Sequence, residues 1–216
     1  MKRKQFVCVS RLLKSLALMT ALTMVGFLMN QSLLAQDKKE NTKTMDKQNQ
    51  KIILGGGCFW CVEAVYQRIP GVVKVRSGYA GGTVPNPSYE QICTGKTGHA
   101  EVIEIEYDPA KVTLDSILDI FWEAHNPTTL NRQGADTGTQ YRSTIMYTVD
   151  EQKQIAEKSK AVAQKGLSDN IVTEIVPLQT FYVAEDYHQD YYNQNKSAGY
   201  CRMVIKPKLD KLKLKD

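Results

Sequence analysis

The sequence contains neither a G-x-G-x-x-G fingerprint nor a Walker-type phosphate loop, so it offers no ready cradle for a dinucleotide or a nucleoside triphosphate. With only 14 Gly and 7 Pro in 216 residues it is neither collagenous nor of low complexity. Its three histidines, His99, His125 and His188, are scattered, and its C-x-x-C pair, Cys58 and Cys61, has no second copy, which leaves a zinc site with little support. A charge excess is also missing from the body of the chain. The formal net charge is +5, but residues 1–50 hold nine Lys/Arg against three Asp/Glu, and residues 51–216 hold nineteen against twenty. A neutral body carries no electrostatic footprint for a nucleic-acid backbone. What is present is a 42% hydrophobic, 24% charged composition, enough to bury one sizeable core and incompatible with disorder.

Lys2, Arg3, Lys4, Arg11 and Lys14 precede an apolar run, Leu16 to Met29, that carries no charge. With the small residue Ala35 in SLLAQ, this is the pattern of a secretory signal peptide over residues 1–35, cleaved after Ala35. The alternative is an uncleaved anchor, because Ser15 to Gln36 are 22 uncharged residues and a membrane helix needs about 20. Residues 36–50 are polar without an apolar period and read as a linker. Export to a periplasmic or cell-envelope location is therefore expected. There thiols are readily oxidised, so Cys58, Cys61, Cys93 and Cys201 are ambiguous between structural and reactive roles.

The body opens with a β-rich run, Lys51 to Gly57, and continues as CFWCVEAVYQRI, where Phe59, Val62, Val65, Tyr66 and Ile69 fall at helical spacing until Pro70-Gly71. VVKVRSGYAGG, HAEVIEIEYDP, RSTIMYTV and IVTEIVPL read as strands; Thr113 to His125 and DEQKQIAEKSKAVAQKGL read as helices. Residues 77–98 and 126–142 lack a strong period, and loops of that length inside a compact domain usually serve a site. The interleaving predicts an α+β fold, with one mixed or antiparallel sheet covered on one face by helices.

Cys58 follows three glycines and starts a helix, where free backbone amides and the positive end of the helix dipole would stabilise a thiolate. Such a position lowers a thiol from about 8.5 towards neutrality. The glycines allow a sharp strand-to-helix turn and close approach of a substrate. Against this stands the plainer possibility that Cys58 and Cys61 form a structural disulfide or line the core.

The words GGGCFWCVEAVY, SGYAGG, NPSYEQICTGKTGHAEVIEIEYDP, QGADTGTQYRSTIMY and AEDYHQDYYNQNKSAGYC resemble peptide methionine sulfoxide reductase of the A type, in this order and across nearly all of residues 51–205. The resemblance implies reduction of the S epimer of methionine sulfoxide, free or in oxidised proteins. It also implies a two-layer α+β sandwich with a ferredoxin-like core and no metal or organic cofactor. By the same resemblance Cys58 is the nucleophile, Phe59 and Trp60 wall the substrate methyl, and Glu101 is the general acid. Tyr89 and Tyr141 then donate to the sulfoxide oxygen, and Asp136 orders the neighbouring loop. A carboxyl group can donate a proton near neutral pH only if burial raises it from about 4.3. Phenols suit an oxyanion because they stay neutral at pH 7.

Attack by Cys58 would leave a sulfenic acid, which a second thiol must resolve. Cys201 matches the family's recycling cysteine and sits on a Gly-containing tail expected to swing. Cys61, which stands where many members carry glycine, offers a competing route. Cys93 is expected to be structural, and the Lys-rich end, residues 206–216, to be solvated and flexible. The resemblance further implies a thioredoxin-like reductant; a monomer without nucleic-acid partners is expected. Two other classes remain at this stage: a general thiol–disulfide oxidoreductase using Cys58 and Cys61, and a small metal- or ligand-binding domain stapled by disulfides.

Overall fold

Alternation along KIILGG places Ile52 and Leu54 on one side of an extended chain and Ile53 on the other. In the computed structural model, which describes residues 48–215, all three are fully buried. They lie in β1 (Gln50–Gly56), between β3 (Ala100–Tyr107) and β6 (Ser143–Tyr147), both antiparallel to it. Ile52 faces Ile105 and Leu54 faces Ile103. β2 (Val72–Ala80) pairs with the far side of β3, β8 (Phe181–Val183) with β2, and β7 (Glu174–Pro177) runs parallel to β6. The result is a six-stranded mixed sheet in the order β7-β6-β1-β3-β2-β8, an α+β fold.

Helices supply the layer on one face. Ile52, Leu54, Ile103 and Ile105 share a core with Val62 and Val65 of α1 (Phe59–Tyr66) and with Ile117, Leu118 and Phe121 of α3 (Leu114–Ala124). Thr113 caps α3, its hydroxyl accepting the Ser116 amide at 3.2 Å. The buried Tyr66 hydroxyl donates to the Ile117 carbonyl at 2.8 Å and joins α1 to α3. Trp122 donates to Ser159 of α4 (Asp150–Gln164) at 2.8 Å. The other sheet face is closed too, although no helix was needed. Ile53, Ala80, Ala100, Val102 and Met146 form a second cluster under Val176, Leu178 and Phe181.

The two aperiodic stretches carry short elements that periodicity is too coarse to detect. Residues 77–98 contain the end of β2 and a one-turn helix, α2 (Tyr89–Cys93), opened by a reciprocal Ser88–Gln91 capping box. Residues 126–142 contain a small hairpin, β4 (Arg132–Gln133) with β5 (Asp136–Thr137), followed by a tight turn at Thr139–Tyr141. After α5 (Tyr191–Gln194), a wide helical turn over Cys201–Ile205 leads into α6 (Lys206–Lys211).

That ending corrects two expectations. Cys201, Ile205 and Leu209 recur every fourth residue and are fully buried, so neither the Cys201 segment nor the start of the lysine-rich end is a loose tail. The apolar stripe between the lysines packs it down. Cys93, expected to be structural, is exposed at the end of α2. The leader and most of the linker lie outside the described residues. Among the described residues no helix is long and apolar enough to cross a membrane.

Candidate active site

β1 runs into Gly57, which adopts φ +90°, and a Cβ there would stand 2.5 Å from Gln133 Cγ. Only glycine makes this turn without strain. It delivers Cys58 to the N-cap of α1, with the Cys58 carbonyl accepting the Cys61 amide at 3.1 Å. One residue on, the Phe59 amide donates to Glu101 Oε2 at 3.1 Å. Glu101 stands at the start of β3 opposite Tyr79 and is 2% exposed. Burial lifts its carboxyl to about 8 against the lowering pull of the Phe59 amide, with the charges of Asp136 and Cys61 adding to the rise. It is therefore protonated through neutral pH.

The thiols depart from the sequence expectation. Cys58 is 8% exposed, makes no side-chain capping bond, and the Phe59 amide that might have served its sulfur is committed to Glu101. Burial pushes the Cys58 thiol well above its ordinary value, and its neighbour Cys61 pushes the same way. Interaction with Cys58 pulls Cys61 down to about 7, with Lys208 and the Tyr200 hydroxyl helping. The pair thus loses its first proton near neutrality. Desolvation outweighs the short eight-residue helix at Cys58.

Aromatic groups enclose the site. Trp60 stacks on Tyr191 with centroids 3.7 Å apart and 8° between planes, and its indole donates to His188 Nδ1 at 3.2 Å. Phe59 packs 6.2 Å from Trp60 and 5.0 Å from the His188 ring. Tyr89 opens α2, its amide donating to Glu185 Oε1 at 2.9 Å, and Tyr141 ends the turn after the hairpin. Burial raises both phenols first, with negative neighbours adding, so both remain neutral donors at pH 7. Tyr200 donates to Asp136 Oδ2 at 2.9 Å, and its oxygen lies 3.6 Å from Cys61 Sγ.

Together Cys58, Phe59, Trp60, Tyr89, Glu101, Asp136, Tyr141 and Tyr200 line a cavity of about 200 Å³. All the residues expected to bind substrate are there, with Cys58 and Glu101. Cys61 and Cys201 do not line it; both are buried thiols, and burial together with the Cys61 charge raises Cys201. Tyr200, which precedes Cys201 in SAGYC, was missed. His188, which contacts Phe59 and Trp60, and Glu185, which accepts from the Tyr89 amide, were also missed. A larger depression of about 440 Å³ beside Trp122 and Leu212 has no cysteine in its lining. Among the described residues the four cysteines are free thiols, and no group of three His, Cys, Asp or Glu could hold a metal ion.

Comparison with known proteins agrees with this geometry. The family described as Peptide methionine sulfoxide reductase matches residues 50–216. The peptide methionine sulfoxide reductase MsrA of Sulfolobus acidocaldarius is 55% identical over 158 residues, covering 73% of this chain and 90% of its own. Among solved structures, Mxr1 of Saccharomyces cerevisiae in reduced form is similar at a TM-score of 0.68 and 37% identity, over 71% of this chain and 90% of its own. The same yeast protein in complex with Trx2 is similar at a TM-score of 0.50 and 27% identity, over 65% of this chain and 84% of its own.

Proposed function

The chain belongs to the peptide methionine sulfoxide reductase family and is a peptide-methionine (S)-S-oxide reductase, and from that premise we propose how its residues divide the reaction. The observation that carries the assignment is a protonated, buried Glu101 hydrogen-bonded to the amide next to Cys58 inside one small cavity. The substrate methyl packs against Phe59 and Trp60, while Tyr89 and Tyr141 donate to the sulfoxide oxygen. As Cys58 attacks the sulfoxide sulfur, the proton shared by the thiol pair moves to Cys61. Glu101 protonates the sulfoxide oxygen, which passes to Cys58 Sγ as the substrate S–O bond and the transient bond between Cys58 and the substrate sulfur both break. The sulfoxide is reduced to methionine and Cys58 is oxidised to the sulfenic acid: one oxygen is transferred, its proton comes from Glu101, the Cys58 proton passes to Cys61, and none is taken from solvent. Asp136 acts through Tyr200, whose phenol donates to it at the lining of the same cavity. Replacement of Glu101 by Gln, followed by turnover of an S-epimer sulfoxide peptide, tests the assignment.

For the second half-reaction we assign the first attack on the sulfenic acid to Cys61. It shares the turn of α1 with Cys58 and ionises near neutrality, whereas Cys201 is raised by burial and held in a packed helical turn. Water leaves and a Cys58–Cys61 disulfide forms. Cys201, packed in the same core, then attacks Cys61 Sγ, releasing Cys58 as the free thiol, and presents the Cys61–Cys201 disulfide to an external dithiol, which is oxidised as it is reduced. Cys201 acting first is the competing route. The dithiol is proposed to be thioredoxin-like, in keeping with the Trx2 complex of the yeast relative. The basic, apolar leader supports a further proposal, that the enzyme works after export, in the periplasm or cell envelope. A two-layer ferredoxin-like arrangement, with α1, α3 and α4 against the sheet, is the architecture proposed to underlie it.

A further inference from the structure

We propose that Gln133 is a positioning residue for the two thiols: its side chain keys the β4–β5 hairpin to the backbone of both Gly57 and Asn126, and so holds Cys58 and the Asp136–Tyr200 pair beside Cys61 in one register. The inference deepens the oxygen-transfer reading and rests on it, with Cys58 as nucleophile and Cys61 as first resolver.

The stem and the amide of Gln133 grip different parts of the fold. A Cβ on Gly57 would stand 2.5 Å from Gln133 Cγ and 2.6 Å from its Cβ, so the stem lies on the backbone one residue before Cys58. The amide reaches the corner that follows α3: Oε1 accepts the Asn126 N–H and Nε2 donates to the Asn126 carbonyl, both at 3.2 Å. A carboxamide supplies one donor and one acceptor side by side, which matches the N–H and C=O of a single residue. Gln133 is half-buried, and two neutral bonds of this kind add modestly to stability, so what they chiefly supply is alignment.

The corner itself is rigid. His125, the residue before Asn126, is buried; its Nδ1 donates to the Phe121 carbonyl at 2.6 Å, and its Nε2 accepts from the Ser143 hydroxyl at 2.7 Å. Only a neutral imidazole does both, and burial holds this one down at about 4. The same ring bears on the strand, since a Cβ on Gly56 would stand 3.2 Å from His125 Cγ. Gly56, His125, Asn126, Gln133 and Gly57 thus close a circuit of contacts around the turn that delivers Cys58. The hairpin carries the circuit on to the second thiol. Gln133 pairs across it with Asp136, Asp136 accepts from Tyr200 at 2.9 Å, and the Tyr200 oxygen lies 3.6 Å from Cys61 Sγ. Without the amide, Asp136 is no longer tied to the turn before Cys58.

The test mixes the full chain, Gln133→Met, Gln133→Ala and Arg132→Ala with one equivalent of an S-epimer sulfoxide peptide. Two rate constants are read: release of the reduced peptide, and decay of the dimedone-reactive sulfenic acid at Cys58. Rate constants, unlike amplitudes, do not change with the fraction of folded protein. Gln133→Met keeps a stem over Gly57 without either bond, and Gln133→Ala keeps neither. Both are expected to slow both steps about 10- to 100-fold, the range that a misplacement of about 1 Å controls. With dithiothreitol as reductant, kcat is expected to fall while KM holds. Arg132 lies in the same hairpin and donates to the Gly134 carbonyl at 2.9 Å; Arg132→Ala is expected to keep the wild-type rates. A wild-type value for either rate constant in Gln133→Met overturns the inference, as does equal slowing in Arg132→Ala, which would mean a generally loosened hairpin. A wild type that leaves no oxygen on Cys58 overturns the oxygen-transfer reading itself, and the inference with it. Should both Gln133 variants fail to fold, the Asn126 amide of the wild type decides: protection from solvent exchange supports the clamp, and free exchange overturns it.

Discussion

The Phe59 amide donates to Glu101 Oε2 across 3.1 Å, so the residue that follows Cys58, the proposed nucleophile, is bonded to the proposed acid. One bond therefore fixes the start of α1 against the start of β3, and with it the spacing between the attacking sulfur and the proton donor. It also decides the electrostatics. The amide lowers the Glu101 carboxyl, burial raises it, and burial prevails at about 8. Because this amide serves the acid, Cys58 lacks the support a helix start would otherwise lend a thiolate.

Glu101→Gln keeps an oxygen for the Phe59 amide but has no proton to give. Turnover of an S-epimer sulfoxide peptide with dithiothreitol is expected to fall on the order of 10²–10⁴-fold in kcat, with KM little changed. In the wild type the same assay should decline as pH rises through about 8, the value to which Glu101 is lifted, and the variant should lose that limb. Equal alkaline limbs in both proteins would remove Glu101 from the proton transfer.

Glu63 on α1 is 1% exposed and is held up to about 7 by burial, with its Oε1 accepting the Asp190 amide at 3.0 Å. Folded protein thus binds more protons than the unfolded chain once pH exceeds the ordinary value of 4.5. The contribution is complete below that value and is lost as pH rises through about 7. Glu63→Gln preserves the acceptor without the charge. Its stability relative to wild type, read by urea unfolding, should improve by on the order of 2 kcal/mol between pH 5 and pH 8. The same difference at both ends of the range would show that Glu63 is not perturbed.

Two glycines with positive φ separate backbone from contact. Gly57→Ala adds a Cβ that would stand 2.5 Å from Gln133 Cγ, whereas Gly134→Ala at φ +61° meets nothing within 4 Å. The first should cost roughly 2–4 kcal/mol and the second about 1 kcal/mol in the same unfolding measurement. Equal losses would mean that Gln133 yields and that the turn before Cys58 is not tightly held.

The resolving order is open to direct trapping. After one equivalent of sulfoxide, Cys61→Ser should accumulate a sulfenic acid at Cys58 that reacts with dimedone, while Cys201→Ser should pass on to the Cys58–Cys61 disulfide and stall under thioredoxin. Accumulation in Cys201→Ser alone would make Cys201 the first resolver.

Much of this was legible in the chain. Alternating strands and three- or four-residue spacing located β1, β2, β3, β6, β7, α1, α3 and α4, because each is long enough, or lies in a long enough apolar run, to show its period. The capping box at Ser88 and the two-residue strands at Arg132 and Asp136 were not read, since elements of one turn or two residues leave no period. Every expected substrate contact reached the cavity. Tyr200 and His188 escaped because nothing local distinguishes a tyrosine or histidine that meets its partner 64 or 128 residues away. The Cys58 thiolate failed for a related reason. Position at a helix start is a local property, but the competing burial and the Glu101 claim on the Phe59 amide come from the whole fold.

The central claim is that the oxygen of the sulfoxide passes to Cys58. Intact mass and peptide mapping of a Cys61→Ser, Cys201→Ser double variant, after one equivalent of S-epimer sulfoxide, tests it most directly. One oxygen atom on Cys58 for each methionine released is the result the account predicts. Methionine released with Cys58 unmodified, or released equally by Cys58→Ser, would contradict it.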